Sequence, residues 1–124
     1  MRLQESGEMY LEHILTLREE KGVVRAIDVA ALSGYSKPSV SRALGLLKNA
    51  GYITVEEKSG SILLTERGEG LAHKIAERHK TLMDFLLHVG VEECVAEADA
   101  CKIEHVISDE TYEAIHNHMQ NMDQ

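Results

Sequence analysis

The stretch that most constrains this chain is SKPSVSRALGLLKNAG, followed at once by YITVEEKSGSILLTERG. The first part predicts a helix with both ends marked. Ser36 is a good N-cap, because its hydroxyl can accept from an orphan backbone N–H. Pro38, the only proline, falls in the first turn, where its missing N–H costs nothing. Val40, Ala43, Leu44 and Leu47 recur at helical spacing and form one buried stripe, and Gly51 suits the stop. The second part predicts two short strands around a turn at Lys58-Ser59-Gly60.

The flanking segments extend the pattern. MYLEHILTLREEKG sets Met9, Leu11, Ile14, Leu15 and Leu17 along one side of a helix that ends at Gly22. AIDVAALSGY is a short helix in which Ile27, Val29, Ala30 and Leu32 are apolar, and Ser33-Gly34 breaks it. GLAHKIAERHKTLMDFLLHVG is one long helix, and the remainder forms two more. Helix, helix, capped helix and hairpin is the winged helix-turn-helix order, whose third helix enters the DNA major groove while the hairpin lies along the backbone. The expected fold is mainly α with a β-hairpin wing. A winged helix-turn-helix DNA-binding domain over residues 1–70 is followed by an α-helical domain over residues 71–124.

Charge agrees with that division. The 124 residues carry a formal net charge of −8, which argues against nucleic acid only if it is spread evenly. Residues 25–60 hold five bases against three acids, net +2, whereas residues 92–124 hold Lys102 against nine acids, net −8. Ser36, Lys37, Pro38, Ser39, Ser41 and Arg42 give the third helix a small, polar and basic N-terminal end. Hydroxyls there can bond phosphates, and Arg42 can read guanine. Lys58 on the hairpin and Arg25 ahead of the second helix complete the expected DNA-facing set. Any one of these residues alone is a cap or a solvated face; the element order as a whole favours DNA. With no apolar run long enough to span a bilayer, no apolar segment in MRLQESGEMY and only two cysteines, a cytoplasmic, reducing location is expected.

A second cluster lies in the acidic half. ADACKIEHVISDE places Cys101, Glu104 and His105 at i, i+3 and i+4, and Glu97 one turn earlier extends the stripe. Thiolate, carboxylate and imidazole are the usual side-chain donors to a divalent transition metal. They do not close a coordination sphere. His79 on the long helix, and Met9 with Glu12 at i and i+3 on the first helix, are the further candidates. The plainer alternatives are a gap-filling core methionine and a small buried thiol. Cys94 is assigned to the core.

The segments EMYLE, ERH and ACKIEHVISDE resemble the diphtheria toxin repressor family of metal-dependent repressors, over Glu8 to Glu110. The resemblance implies a homodimeric, DNA-binding transcriptional repressor that senses Fe(II) or Mn(II) and controls metal-uptake genes, and no enzyme. It implies a regulatory site of Met9, Cys101, Glu104 and His105. An ancillary site begins at His79 and continues at the positions of Met83 and Glu97, where the iron branch has an acid and a histidine. The manganese branch has an Asp where Met9 stands, a Glu matching Glu12, His79, and a Glu where Cys101 stands. Sulfur at positions 9 and 101 favours Fe(II), with Mn(II) the alternative. The chain ends soon after its sixth helix, so a short form without the family's SH3-like domain is expected, with the fifth and sixth helices as the dimer surface. The alternatives are a winged-helix regulator that answers a small organic ligand with no regulatory metal, and a small non-haem iron enzyme. Nothing in the sequence resembles the general-base pocket that an enzyme needs.

Overall fold

The computed structural model describes residues 5–122 of the chain. It divides into two compact units, one ending at His73 and one beginning at Lys74. The first contains α1 (Glu5–Lys21), α2 (Ala26–Ser33), α3 (Lys37–Asn49), β1 (Ile53–Val55), β2 (Ile62–Leu64) and the start of α4 (Glu66–His88). The second contains the rest of α4, α5 (Glu93–Val106) and α6 (Asp109–Met122). Among the described residues, no helix is long and apolar enough to cross a membrane.

In the first unit the expected stripes are buried except at Met9 and Ala43, which are half-buried. Leu11, Ile14, Leu15 and Leu17 of α1, and Val40, Leu44 and Leu47 of α3, join Val24, Val29, Ile53 and Ile62 in the core. The cap of α3 forms as its residues dictate: Ser36 Oγ accepts from the Ser39 N–H at 3.3 Å. At the other end Gly51 has φ 85°, a left-handed turn that glycine makes without steric cost. The two strands pair antiparallel, with Ile53 opposite Leu64 and Val55 opposite Ile62. Residues 56–61 close the hairpin, pinned by Glu56 N–H to Ser61 C=O at 2.9 Å and Gly60 N–H to Glu56 C=O at 2.8 Å.

Of the apolar residues of α2, Val29 is enclosed, but Ile27 is 61% and Leu32 46% exposed. An eight-residue helix makes about two turns, so the one residue that faces its neighbours carries the packing. Cys94 is exposed rather than in the core. The buried line of α5 is Ala96, Ala100 and Glu104, and Cys94 lies two residues before Ala96, about 200° around the helix from that line.

Gly68, in the first turns of α4, faces backbone closely. A Cβ there would stand 1.9 Å from the Tyr52 carbonyl oxygen and 2.9 Å from its carbon. Only glycine lets α4 start against the segment between α3 and β1. Arg67 clasps the same corner, stacking on the Tyr52 ring at 4.4 Å and donating to the Ala50 carbonyl at 2.9 Å. In the second unit the buried Arg78 pairs with Asp109 and lies over the Tyr112 ring, 5.0 Å from its centroid.

Gly68→Ala is therefore expected to destabilise the chain by at least about 1–3 kcal/mol, the usual cost of overpacking, because the obstacle is backbone. Gly70→Ala, where an added Cβ meets nothing within 4 Å, is expected to gain roughly 0.5–1 kcal/mol of helix propensity. Urea denaturation of the two variants checks the pair. Equal stabilities would show that the α4 start can shift freely.

Candidate metal centre and nucleic-acid interface

The buried line of α5 runs through Ala96 and Ala100 and then ends on a carboxylate. Glu104 is 1% exposed at a position where a helix packed in a core would carry leucine. A buried charge needs a counter-charge and hydrogen bonds. Two imidazoles meet it. His79 Nδ1 is 2.9 Å from Glu104 Oε2, and His105 Nε2 is 3.2 Å from Glu104 Oε1. The other ring nitrogen of His79 lies 3.2 Å from Glu97 Oε2. His79 thus stands between two carboxylates, one buried and one exposed.

The hydrogen bond that His79 donates to the Glu104 carboxylate raises the His79 pKa from 6.5 to about 9. Partial burial opposes the rise, and Glu97 adds to it. The proton on His79 supplies the positive charge that Glu104 requires. A divalent cation would supply it instead, so the donor chemistry here fits a metal. His79, Glu97, Glu104 and His105 are joined by these contacts. Cys101, one turn before His105 on α5, is an exposed thiol. Met83, one turn beyond His79, is half-buried and brings no carboxylate. Met9 and Glu12 lie on α1 in the first unit, both half-buried.

The expected DNA-facing residues are exposed: Ser36, Lys37, Pro38, Ser39, Ser41 and Arg42 at the start of α3, Lys58 in the hairpin turn and Arg25 before α2. Ser36 and Ser39 share a hydroxyl–hydroxyl bond of 2.9 Å within the cap, which leaves Lys37, Ser41 and Arg42 to project. Ser39 and Arg42 line a shallow groove of about 340 Å³ with Tyr35, Tyr10, Ser6, Ala43 and Leu46. Two features had no signal in the sequence. Arg78 is buried although it is a base in a run of charged residues. Arg25 Nε donates to the Ser59 carbonyl at 3.0 Å, across 34 residues of sequence.

Comparisons with known proteins follow the same division. Residues 2–61 match the family model described as the iron dependent repressor, N-terminal DNA binding domain. Residues 65–124 match the one described as iron dependent repressor, metal binding and dimerisation domain. The chain is 40% identical over 105 residues to the transcriptional regulator MntR of Salmonella typhi, covering 85% of this chain and 66% of that protein. It is 36% identical over 115 residues to an HTH-type transcriptional regulator of Methanocaldococcus jannaschii, covering 91% of each. Among solved structures it is similar to the manganese regulator SloR, with a TM-score of 0.81 and 25% identity over 97% of this chain. It spans only 55% of the SloR chain.

The proton on His79 sets a pH dependence. A metal bound by that ring must displace it, and below a pKa of about 9 the proton is the competitor. Affinity for Mn(II) is expected to rise roughly tenfold per pH unit between pH 6 and 8, with about one proton released per ion at pH 7. Calorimetry in buffers of different ionisation enthalpy measures both. Affinity that stays flat over that range would mean that His79 is not where the ion binds.

Proposed function

We propose, from the premise that this chain belongs to the iron-dependent repressor family, that of the diphtheria toxin repressor, that it is a metal-dependent DNA-binding transcriptional repressor. The observation that carries the reading is the buried Glu104 carboxylate held between His79 and His105. It lies in the part of the chain that matches the metal-binding and dimerisation description, while the polar start of α3 lies in the part that matches the DNA-binding one.

In this reading Glu104, His105 and His79 hold a divalent first-row ion, with Cys101 and Glu97 of α5 as further donors. The ion neutralises carboxylate charge. The protein's own residues do the rest. Arg42, Lys37 and Ser41 meet the major groove, and Lys58 meets the backbone. Val95, Val106 and Met122, exposed apolar residues of α5 and α6, support a homodimer surface there. A repressor of this kind works in the cytoplasm. If the ion binds only the DNA-competent state, free metal at about 100 times its Kd favours that state by about 2.7 kcal/mol, roughly a hundredfold in operator affinity.

The imidazoles and carboxylates drawn together around Glu104 suit Mn(II), and similarity to solved manganese regulators supports the same ion. We take Mn(II) as the effector. A specific observation favours Fe(II): Met9 and Cys101 are sulfur donors, softer than an ion such as Mn(II) prefers.

Glu104→Gln keeps the shape and removes the charge. It is expected to fold, to lose tight Mn(II) binding and to bind operator equally with and without metal. A full metal response in this variant would remove the metal centre from Glu104. Arg42→Ala is expected to weaken operator binding by about 1–3 kcal/mol, the worth of a lost base contact, with the metal response intact. Parental operator affinity at matched salt would take Arg42 out of the groove. Operator binding under anaerobic, buffered metal separates the ions: half-activation at lower free Fe(II) than free Mn(II) would assign iron and overturn manganese.

A further inference from the structure

We propose that Arg25 is a positioning residue that holds the hairpin wing in place, rather than a contact to DNA phosphate. The proposal rests on the DNA-binding reading above only for its effect on affinity; the contact itself lies within the first unit.

The wing needs an external hold. Its strands are three residues each, and a two-stranded hairpin is marginal in water without a third partner. The bonds inside the turn fix its shape: Glu56 to Ser61, Gly60 to Glu56, and Ser61 N–H to Ser59 Oγ at 3.2 Å. They do not fix where it sits. Two hydrogen bonds reach it from the two residues just before α2. At the base, the Ile62 N–H donates to the Val24 carbonyl at 2.7 Å, so Val24 pairs with β2 without being a strand. At the turn, Arg25 Nε donates to the Ser59 carbonyl at 3.0 Å.

Arg25 is itself fixed. Its backbone is extended, with φ −124° and ψ 166°. Its N–H donates to Asp28 Oδ2 at 2.9 Å, inside the first turn of α2. The other oxygen of Asp28 takes Lys21 Nζ at 2.6 Å, from the last turn of α1. The Lys21 partnership and this backbone bond hold the Asp28 carboxyl below its usual pKa. A chain of contacts therefore runs from the end of α1, through the start of α2, to the wing turn. Guanidinium suits the last link, because Nε has a fixed direction that a lysine ammonium lacks. Lys58, the base expected to meet phosphate, is the residue next to Ser59. Loss of the Arg25 bond leaves the charge of Lys58 in place but lets the turn that carries it wander, and that freedom must then be lost on binding.

The two roles differ in salt dependence. Each phosphate contact contributes roughly one to the slope of log affinity against log salt; a positioning contact contributes to affinity but not to slope. The test uses the full chain, its Arg25→Ala, Arg25→Lys and Lys58→Ala variants, and a duplex selected from random-sequence DNA in the presence of Mn(II). Without DNA, amide exchange over residues 56–61 is expected to quicken at least about fivefold in Arg25→Ala and Arg25→Lys and to stay at the parent rate in Lys58→Ala. With DNA, both Arg25 variants are expected to bind about tenfold more weakly at every salt with the parent slope, and Lys58→Ala to lose about one from the slope. Parental exchange in Arg25→Ala would overturn the proposal. So would a slope lowered by about one in Arg25→Ala and restored in Arg25→Lys, the mark of a phosphate contact. If the parent binds no duplex, the DNA-binding reading fails, while the exchange arm still decides the clasp.

Discussion

The structure of the second unit depends on one buried carboxylate. Glu104 has lost nearly all contact with water, and an isolated charge in that position would be prohibitive. Its surroundings must be cationic. Without a metal, a proton on His79 meets that demand; with one, the ion does. The same geometry that lets the unit fold would receive the proposed ion. Affinity is bounded by the proton that has to leave. Because the donors stand on α4 and α5 and not on loops, their positions are set by helix packing, which gives a small site its precision. The Arg78–Asp109 pair with the Tyr112 ring ties α6 to α4.

The first unit solves a different problem, which is to present a short polar helix end and a weak hairpin in fixed positions. The α3 start is held by its serine cap and its apolar stripe. The corner after β2 is held by the absence of a side chain at Gly68 and by Arg67 on Tyr52. Arg18 bonds Glu69 at 2.6 Å and ties α1 to the start of α4. These contacts cost little individually because they are local or partly exposed. Together they give a reading face whose residues project without having to order themselves on binding.

Much of this was legible in the sequence, because its signals are local. Ser36, Pro38 and the spacing of Val40, Leu44 and Leu47 marked α3, and the Lys58–Gly60 turn marked the wing. Metal-donor spacing on α5 pointed to Glu104 and His105. What was not legible is long-range. An eight-residue helix that is apolar nearly all round, as α2 is, does not reveal which residue faces inward. Cys94 and Cys101, seven residues apart, share a face, but spacing alone does not say whether that face is buried. Charged side chains such as Arg25, Arg78 and Glu104 look alike in a sequence. Burial or a backbone partner 34 residues away gives each a different role.

Anomalous diffraction at the manganese edge, from anaerobic crystals grown with Mn(II), tests the central claim most directly. The account predicts a strong peak within bonding distance of a Glu104 carboxylate oxygen and a ring nitrogen of His79 or His105. Strong peaks only elsewhere on the chain, with Glu104 still bonded to a protonated His79, would contradict it.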